Sequence, residues 1–290
     1  MRTLGLLALT ASTGALLAVP SASQGTVTIG SDLGDAPSIG IACIGSTCTR
    51  VQTSLPSDDL APNGVSSPVN GTVVRWRIRS DASNTQQPVA FRVISPASSG
   101  QFTGGGSSAT VTPPDTTGVS TFAASIPIKI GNLLGLNYNN STNWYFGLSA
   151  GPNSGQNFNP FLAEGSTRSP QNNTTEQLLV NADIEPTSSF ISTAKGKKGG
   201  KVKITATLPN PGTLQVGDKK DLASVAAKRR LTGSSAQLTA PGTVNLKVKA
   251  TKSALALLAR KGKLFAKLKL VFTPLGGSPR AQVARVNLKP

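Results

Sequence analysis

The sequence has 290 residues, of which 29 are basic, 12 are acidic and none is histidine. The length is sufficient for about two domains. The net charge of +17 favours anionic polymers as partners. The lack of histidine removes the commonest general base and metal ligand, so we expect a non-catalytic protein with no cofactor and no metal site.

The first 23 residues have the pattern of a secretory signal peptide. Arg2 supplies a positive charge, residues 4–19 are largely apolar, and small residues at 20–23 predict cleavage near Ser23. A membrane anchor is the alternative, although the apolar run is short for a span. We expect a secreted, extracellular protein, either free or associated with the cell envelope, with no transmembrane span after signal removal.

Residues 24–185 form a mildly acidic region with seven basic and ten acidic residues. Short strand patterns recur there between turn residues. They predict seven or eight strands and hence a β-sandwich, either jelly-roll-like or Ig-like. In chain order, the clearest segments are 26–29, 72–79, 89–93, 119–123, 126–130, 143–148 and 177–184.

The strand predicted at 72–79 places apolar and basic side chains on opposite faces, because side chains alternate along a strand. The basic face is either a solvated outer surface or a contact for an anion. The apolar face contains Val74, Trp76 and Ile78, and the basic face contains Arg75, Arg77 and Arg79.

The two cysteines, Cys43 and Cys48, are five positions apart. In an oxidising compartment a disulfide across this short loop is the expected state. A redox or metal pair is the alternative, but without histidine or further cysteines the pair cannot complete a tetrahedral metal site.

Parts of this region resemble uncharacterised exported proteins of actinobacteria. The resemblance is carried by 62–79, by Phe91–Ile94 and by 126–136, where Asn132 stands at a position that is usually aspartate. It implies an N-terminal jelly-roll-like sandwich, a basic Ig-like C-terminal module and secretion, and it implies no known activity.

A cluster of aromatic and asparagine residues at 138–146 is a candidate glycan-binding site. Aromatic faces stack on sugars, and amides bond their hydroxyls. Tyr138, Trp144 and Tyr145 would form this site. The alternative interpretation is core and loop, because the aromatic residues alternate along a predicted strand.

The carboxylates offer two further hypotheses. Asp32 and Asp35 flank a glycine-containing turn and could help to hold calcium, or they could simply cap the turn. Glu164 and Glu176 would be a glycosidase pair if the fold brought them within about 10 Å. Neither hypothesis changes the expectation of a protein that is not an enzyme.

Residues 186–200 are polar, glycine-rich and cationic. We interpret them as a linker, and a first edge segment of the following domain is the alternative. From 186 to 290 the chain carries twenty-one basic residues and two acidic ones.

Residues 201–290 predict a basic Ig-like β-sandwich with half-buried strands. Thr251 caps a short crossover helix over 253–261, and Gly262 ends it. The stretch 246–288 also resembles the basic module of the exported actinobacterial proteins. The alternating segments are 201–208, 244–250, 263–272 and 284–289, and the last two are joined as a hairpin.

The same alternation directs the basic side chains of these strands towards solvent. They would form one or two cationic surfaces, and the predicted partners are anionic cell-surface or matrix polymers. Aromatic residues do not interleave the lysines, so we expect no specific nucleic acid. A surface that serves solubility alone is the alternative. The predicted polyanion-binding residues are Lys201, Lys203, Lys247, Lys249, Lys263, Lys267, Lys269, Arg285 and Lys289.

Overall fold

The structure, a computed structural model, describes residues 25–41, 43, 47–82, 87–139, 143–148, 154–218 and 230–290. The predicted signal peptide therefore lies outside the described residues. The described chain is almost entirely β, with one α-helix, and every pairing between its strands is antiparallel. This confirms the predicted fold class.

In the described part of the chain, fourteen strands precede residue 187, which is more than the seven or eight that the sequence predicts. They are β1 (Val27–Gly30), β2 (Ile39–Ile41), β3 (Thr47–Gln52), β4 (Gly71–Ser80), β5 (Val89–Pro96), β6 (Phe102–Ser107), β7 (Gly118–Ile128), β8 (Leu133–Asn139), β9 (Asn143–Leu148), β10 (Gly155–Phe158), β11 (Thr167–Arg168), β12 (Asn172–Thr174), β13 (Glu176–Leu178) and β14 (Val180–Pro186). A 3-10 turn at Ser98–Gly100 joins β5 to β6. The segments predicted at 119–123 and 126–130 are joined in one strand, β7, which ends at Ile128.

These strands form three sheets. A four-stranded sheet has the order β1-β14-β4-β7, a seven-stranded sheet has the order β11-β6-β5-β8-β3-β10-β12, and a three-stranded sheet has the order β13-β9-β2. The main core contains Trp76, whose ring lies 5.5 Å from that of Phe91 and 4.6 Å from that of Phe122. A smaller core around Phe158 and Leu162 covers the other face of the seven-stranded sheet.

The apolar face predicted for β4 is wrong at Val74. The register between β4 and β7 shifts between Val73 and Arg75, as it does at a β-bulge. Val73 is fully buried and Val74 is only partly buried. The bulge exchanges these two valines and leaves the buried positions of Trp76 and Ile78 as predicted.

Seven strands and one helix follow in the ranges described after residue 187. They are β15 (Ile191–Lys197), β16 (Lys201–Leu208), β17 (Gly212–Asp218), β18 (Ser234–Leu238), β19 (Gly242–Lys249), α1 (Lys252–Lys261), β20 (Leu264–Pro274) and β21 (Arg280–Leu288). They form a three-stranded sheet, β15-β16-β19, and a four-stranded sheet, β18-β17-β20-β21. A separate apolar cluster packs between the two sheets.

The helix confirms its predicted caps. The Thr251 side chain accepts a hydrogen bond from the Ala254 N–H, and Gly262 adopts φ 66° at the C-cap. The predicted linker is wrong for 191–197, because these residues form the edge strand β15 and pair with β16 along its length. The first-edge-segment alternative describes them correctly.

Side-chain amides join the two halves of the chain. The Asn70 side chain donates to the Pro209 carbonyl at 2.7 Å, and the Asn210 side chain donates to the Asn70 carbonyl at 2.8 Å. Asn210 is completely buried, and its amide also donates to the Thr187 carbonyl. These bonds hold the turn between β16 and β17 against the start of β4.

Candidate functional site: the lysine face

A dense array of exposed positive charge lies on the outer face of the sheet β15-β16-β19. In β16 the apolar side chains of Val202, Ile204, Ala206 and Leu208 are buried. The intervening side chains must therefore point outwards, and Lys201 and Lys203 are exposed. The core pattern of this strand thus determines where its ammonium groups lie.

The strand register aligns lysines from all three strands in two rows. Because paired residues of an antiparallel sheet lie on the same face, each row presents three ammonium groups to the same side. We call these six exposed residues the lysine face. Its rows are Lys197–Lys201–Lys249 and Lys195–Lys203–Lys247.

Sheet geometry sets the spacing of this array. Neighbouring strands lie about 4.8 Å apart, and alternate residues of one strand are about 6.8 Å apart. Like charges that face each other across strands are destabilising. Among the described residues, the salt bridges join arginines to Glu176 and Asp183, and none includes a residue of the lysine face. The positive potential of the face is therefore not cancelled by a described carboxylate.

The hairpin between β15 and β16 extends the charge beyond the sheet. Lys198 is exposed at its tip, followed by Gly199 and Gly200 with φ 70° and 65°. The positive φ of Gly200 favours glycine, and a Cβ there would also lie 2.7 Å from the Leu255 side chain of α1. The helix begins at Lys252, an exposed cation three residues after Lys249 of the lysine face.

The nine predicted polyanion-binding residues divide between the two sheets. Lys201, Lys203, Lys247 and Lys249 belong to the lysine face, whereas the others lie on or beside the four-stranded sheet. In that sheet Lys267 pairs in register with Arg285, and Lys269 pairs with Val283. A single surface containing all nine is thus not formed. The remaining two residues, Lys263 and Lys289, flank β20 and β21.

Sequence reasoning missed Lys195 and Lys197. The inward positions of β15 carry Ala194 and Gly196, which give almost no apolar signal. A Cβ on Gly196 would collide with the Asn287 carbonyl of β21. Glycine is therefore required where the edges of the two sheets approach, and this requirement gives the strand the composition of a linker.

The glycan-site hypothesis fails for the two tyrosines. Tyr138 and Tyr145 are 2% and 0% exposed. The Tyr145 hydroxyl donates to the Gln87 carbonyl at 3.0 Å, and burial raises the pKa of this tyrosine. Neither ring presents a face on which a sugar could stack. The side chain of Trp144 lies outside the described part of the structure.

The proposed calcium residues lie in a crowded acidic turn. Asp32 accepts a hydrogen bond from the Gly34 N–H at 2.7 Å, as a turn-capping residue does. The pKa of Asp59 is raised by burial and by the nearby charges of Asp35, Asp58 and Asp32. In the described ranges, no group of three His, Cys, Asp or Glu side chains is arranged to hold a metal ion.

The two candidate glycosidase carboxylates have separate surroundings. Glu176 forms a salt bridge of 3.1 Å with Arg50, which is 1% exposed and lies over the Phe146 ring. Desolvation by burial lowers the pKa of Arg50, although Tyr138 and Glu176 oppose this effect. The backbone of Glu164 forms an isolated β-bridge with that of Gly104.

The arginine ladder of β4 contacts groups of the protein itself. Arg77 donates to both carboxylate oxygens of Asp183, at 3.1 and 2.7 Å, and Arg75 donates to one of them at 2.7 Å through Nε. Arg79 donates to the carbonyls of Leu33 and Gly34. Asp183 therefore gives the first two arginines a carboxylate partner within the protein.

The predicted disulfide is confirmed. Cys43 and Cys48 are bonded, with their Cα atoms 5.7 Å apart. No helix in the part of the chain that the structure describes is long and apolar enough to span a membrane.

Comparison with known proteins shows only weak structural similarity. No protein-family model matches it, and no curated protein matches it. Two solved structures are weakly similar: an FMN-binding β-glucuronidase of Faecalibacterium prausnitzii L2-6, with 10% identity and a TM-score of 0.23, and a Faecalibacterium prausnitzii β-glucuronidase, with 11% identity and a TM-score of 0.22. They cover 89% and 92% of this chain, which spans only 35% and 47% of their lengths.

Proposed function

We propose that the protein is a secreted, non-catalytic structural or adhesive protein that attaches to anionic polymers of the cell envelope or matrix through the lysine face. The observation that carries this proposal is the alignment of six exposed lysines on three adjacent strands. A disulfide is typical of an oxidising compartment outside the cytosol and supports export.

The energetics of the lysine face favour a polymer over a single small anion. Each ammonium group is exposed, so its pairing with one small anion in water contributes at most about 1 kcal/mol. A polymer can contact several lysines at once and release the counterions that they retain when free. Binding of this kind weakens steeply as salt concentration rises.

The test compares two triple variants of the full chain with equal net charge. The face variant carries Lys201→Gln, Lys203→Gln and Lys247→Gln. The control carries the matching change on the opposite sheet, and its substitutions are Lys267→Gln, Lys269→Gln and Arg285→Gln. Affinity for heparin, a generic polyanion, is measured at several salt concentrations by fluorescence anisotropy.

We expect the face variant to lose roughly 100-fold in affinity, at about 1 kcal/mol for each lysine near an anionic surface. The slope of log affinity against log salt concentration should also become shallower by about three, because binding releases about three fewer counterions. The control should lose less than about threefold. Equal losses in the two variants would show that heparin responds to net charge and would contradict the proposal.

A further inference from the structure

The outer face of the sheet β15-β16-β19 continues beyond the lysine face, and its character changes. Two further rows of side chains lie in register on the same side. They carry no charge and consist mainly of hydroxyl and amide groups. We call them the threonine rows, and they are Thr193–Thr205–Asn245 and Ile191–Thr207–Thr243.

The threonine rows are accessible to a ligand. Thr193, Thr207, Thr243 and Asn245 are exposed. Thr205 donates to the Asn245 carbonyl oxygen at 2.8 Å, which leaves both amide hydrogens of Asn245 available as donors. The hydroxyls of Thr207 and Thr243 bond to each other at 3.0 Å, and each retains further capacity towards solvent.

The two halves together form a strip of four rows, about 20 Å long and about 10 Å wide. One half offers positive charge, and the other half offers neutral donors and acceptors. A polymer with charge alone would use the lysine face and leave the threonine rows without partners. A polymer that carries both anionic groups and hydroxyls can satisfy both halves.

We propose that the ligand of this sheet is an acidic polysaccharide, whose carboxylates contact the lysine face and whose hydroxyls bond to the threonine rows. The inference rests on the proposed function and specifies its partner. Ile191, which is 76% exposed at the edge of the strip, offers an apolar contact for the C–H groups of a sugar ring.

The experiment uses two probes that share negative charge and differ in hydroxyl groups. Polygalacturonate carries carboxylates and hydroxyls, whereas inorganic polyphosphate has no sugar hydroxyls. The row variant of the full chain carries Thr205→Val, Thr207→Val and Thr243→Val. Valine has the shape of threonine and a high β-propensity, so the sheet is retained. The control is Thr213→Val with Thr273→Val, a pair in register on the opposite sheet.

We expect the row variant to bind polygalacturonate about tenfold more weakly, because it lacks three hydroxyl groups. Its affinity for polyphosphate should stay within about twofold of that of the unchanged chain, and the control should bind both probes normally. Thr→Ser at the same three positions should restore polygalacturonate binding, because serine keeps the hydroxyl.

The outcomes separate this inference from the function on which it rests. If both probes bind, and the row variant binds polygalacturonate as tightly as the unchanged chain does, the threonines serve only the sheet and the inference is overturned. It is overturned as well if the row variant loses affinity for both probes equally. If neither probe binds the unchanged chain at low salt, the proposed function also fails.

Discussion

The arginine ladder of β4 and the lysine face arise from the same sequence pattern, and they differ in what lies opposite them. Arg75 and Arg77 face Asp183, whose side chain is only 2% exposed and which also accepts from Thr28 at 2.8 Å. The lysine face has no such described partner. Alternation along a strand thus places a cation on a surface, but a residue distant in sequence decides whether that cation is free.

The comparison also separates stability from binding. A ladder that is paired with a buried carboxylate should contribute to folding, and the pairing should leave less of its charge available to an anion from solvent. A ladder of like charges should oppose folding slightly and attract anions. Substitutions on the two surfaces can test both assignments, and their expected effects differ in size and sign.

The largest effect is expected from removing the carboxylate that pairs with the ladder. Asp183→Asn should lower the free energy of unfolding by about 3 kcal/mol, because two charge-assisted interactions are lost in a buried position. The new amide hydrogens would also face arginine donors. Urea denaturation would measure the change, and Asp115→Asn, at an exposed aspartate outside the acidic turn, is the control. A loss no larger than that of the control would contradict the assignment.

The pH dependence of stability gives a second test at Asp183. Burial raises its pKa, but hydrogen bonds from Arg77, Thr28 and Arg75 outweigh burial, so its pKa in the folded protein is lowered. The stabilisation is therefore fully present above the unfolded pKa of about 3.9, and it is lost as the pH falls through the lower, folded value.

The unfolding free energies of the unchanged chain and of Asp183→Asn should thus differ by a constant amount above about pH 5. This difference should shrink in acid below the unfolded pKa. Denaturation series between neutral and acidic pH would measure it. A difference that grew in acid would mean that the carboxylate is not preferentially ionised in the fold.

A smaller effect of opposite sign is expected at the lysine face. Lys203 lies between Lys195 and Lys247 in the register. Lys203→Glu should therefore raise the free energy of unfolding by about 0.5–1 kcal/mol at low salt, while it weakens heparin binding. Lys203→Gln, which removes repulsion without adding attraction, should give about half the gain.

Salt provides the control for this prediction. Screening at about 1 M salt reduces the Debye length to about 3 Å, so the gain in thermal stability should largely disappear. If Lys203→Glu were less stable than the unchanged chain at low salt, the lysines would have to be held by partners, and the contrast with the arginine ladder would be lost.

Local patterns predicted much of the C-terminal half correctly. Thr251 and Gly262 bound the helix because capping depends on a few neighbouring residues. Alternation over 201–208 predicted the faces of β16 because one side of its sheet packs on an apolar core. The charged site was therefore partly visible in the sequence, as four of its six lysines.

The remaining features depend on contacts between distant segments. Asp183 pairs with Arg75 across a separation of 108 residues, and no local pattern indicates that partner. The bulge that buries Val73 depends on the register with β7. Position 196 of strand β15 requires glycine because another backbone passes close to it, and sequence reasoning cannot distinguish such a glycine from one in a linker.

The smallest effect is expected in the acidic turn, which is the anionic counterpart of the lysine face. The pKa of Asp59 is raised first by burial and then by Asp35, Asp58 and Asp32. Its charged form is therefore disfavoured in the folded protein, and this penalty applies at pH values above the folded pKa. Asp59→Asn should raise thermal stability slightly at pH 7, by less than about 0.5 kcal/mol.

In acid below both pKa values the gain should vanish, because the aspartate is then neutral in the folded and unfolded states. Thermal melting at pH 7 and in acid measures the gain and its disappearance. Asp115→Asn, at an exposed aspartate, is the control. If Asp59→Asn were less stable at pH 7, the carboxylate would be an acceptor that the turn requires. Crowding of like charges would then be a property of the lysine face alone and would not extend to both charged surfaces.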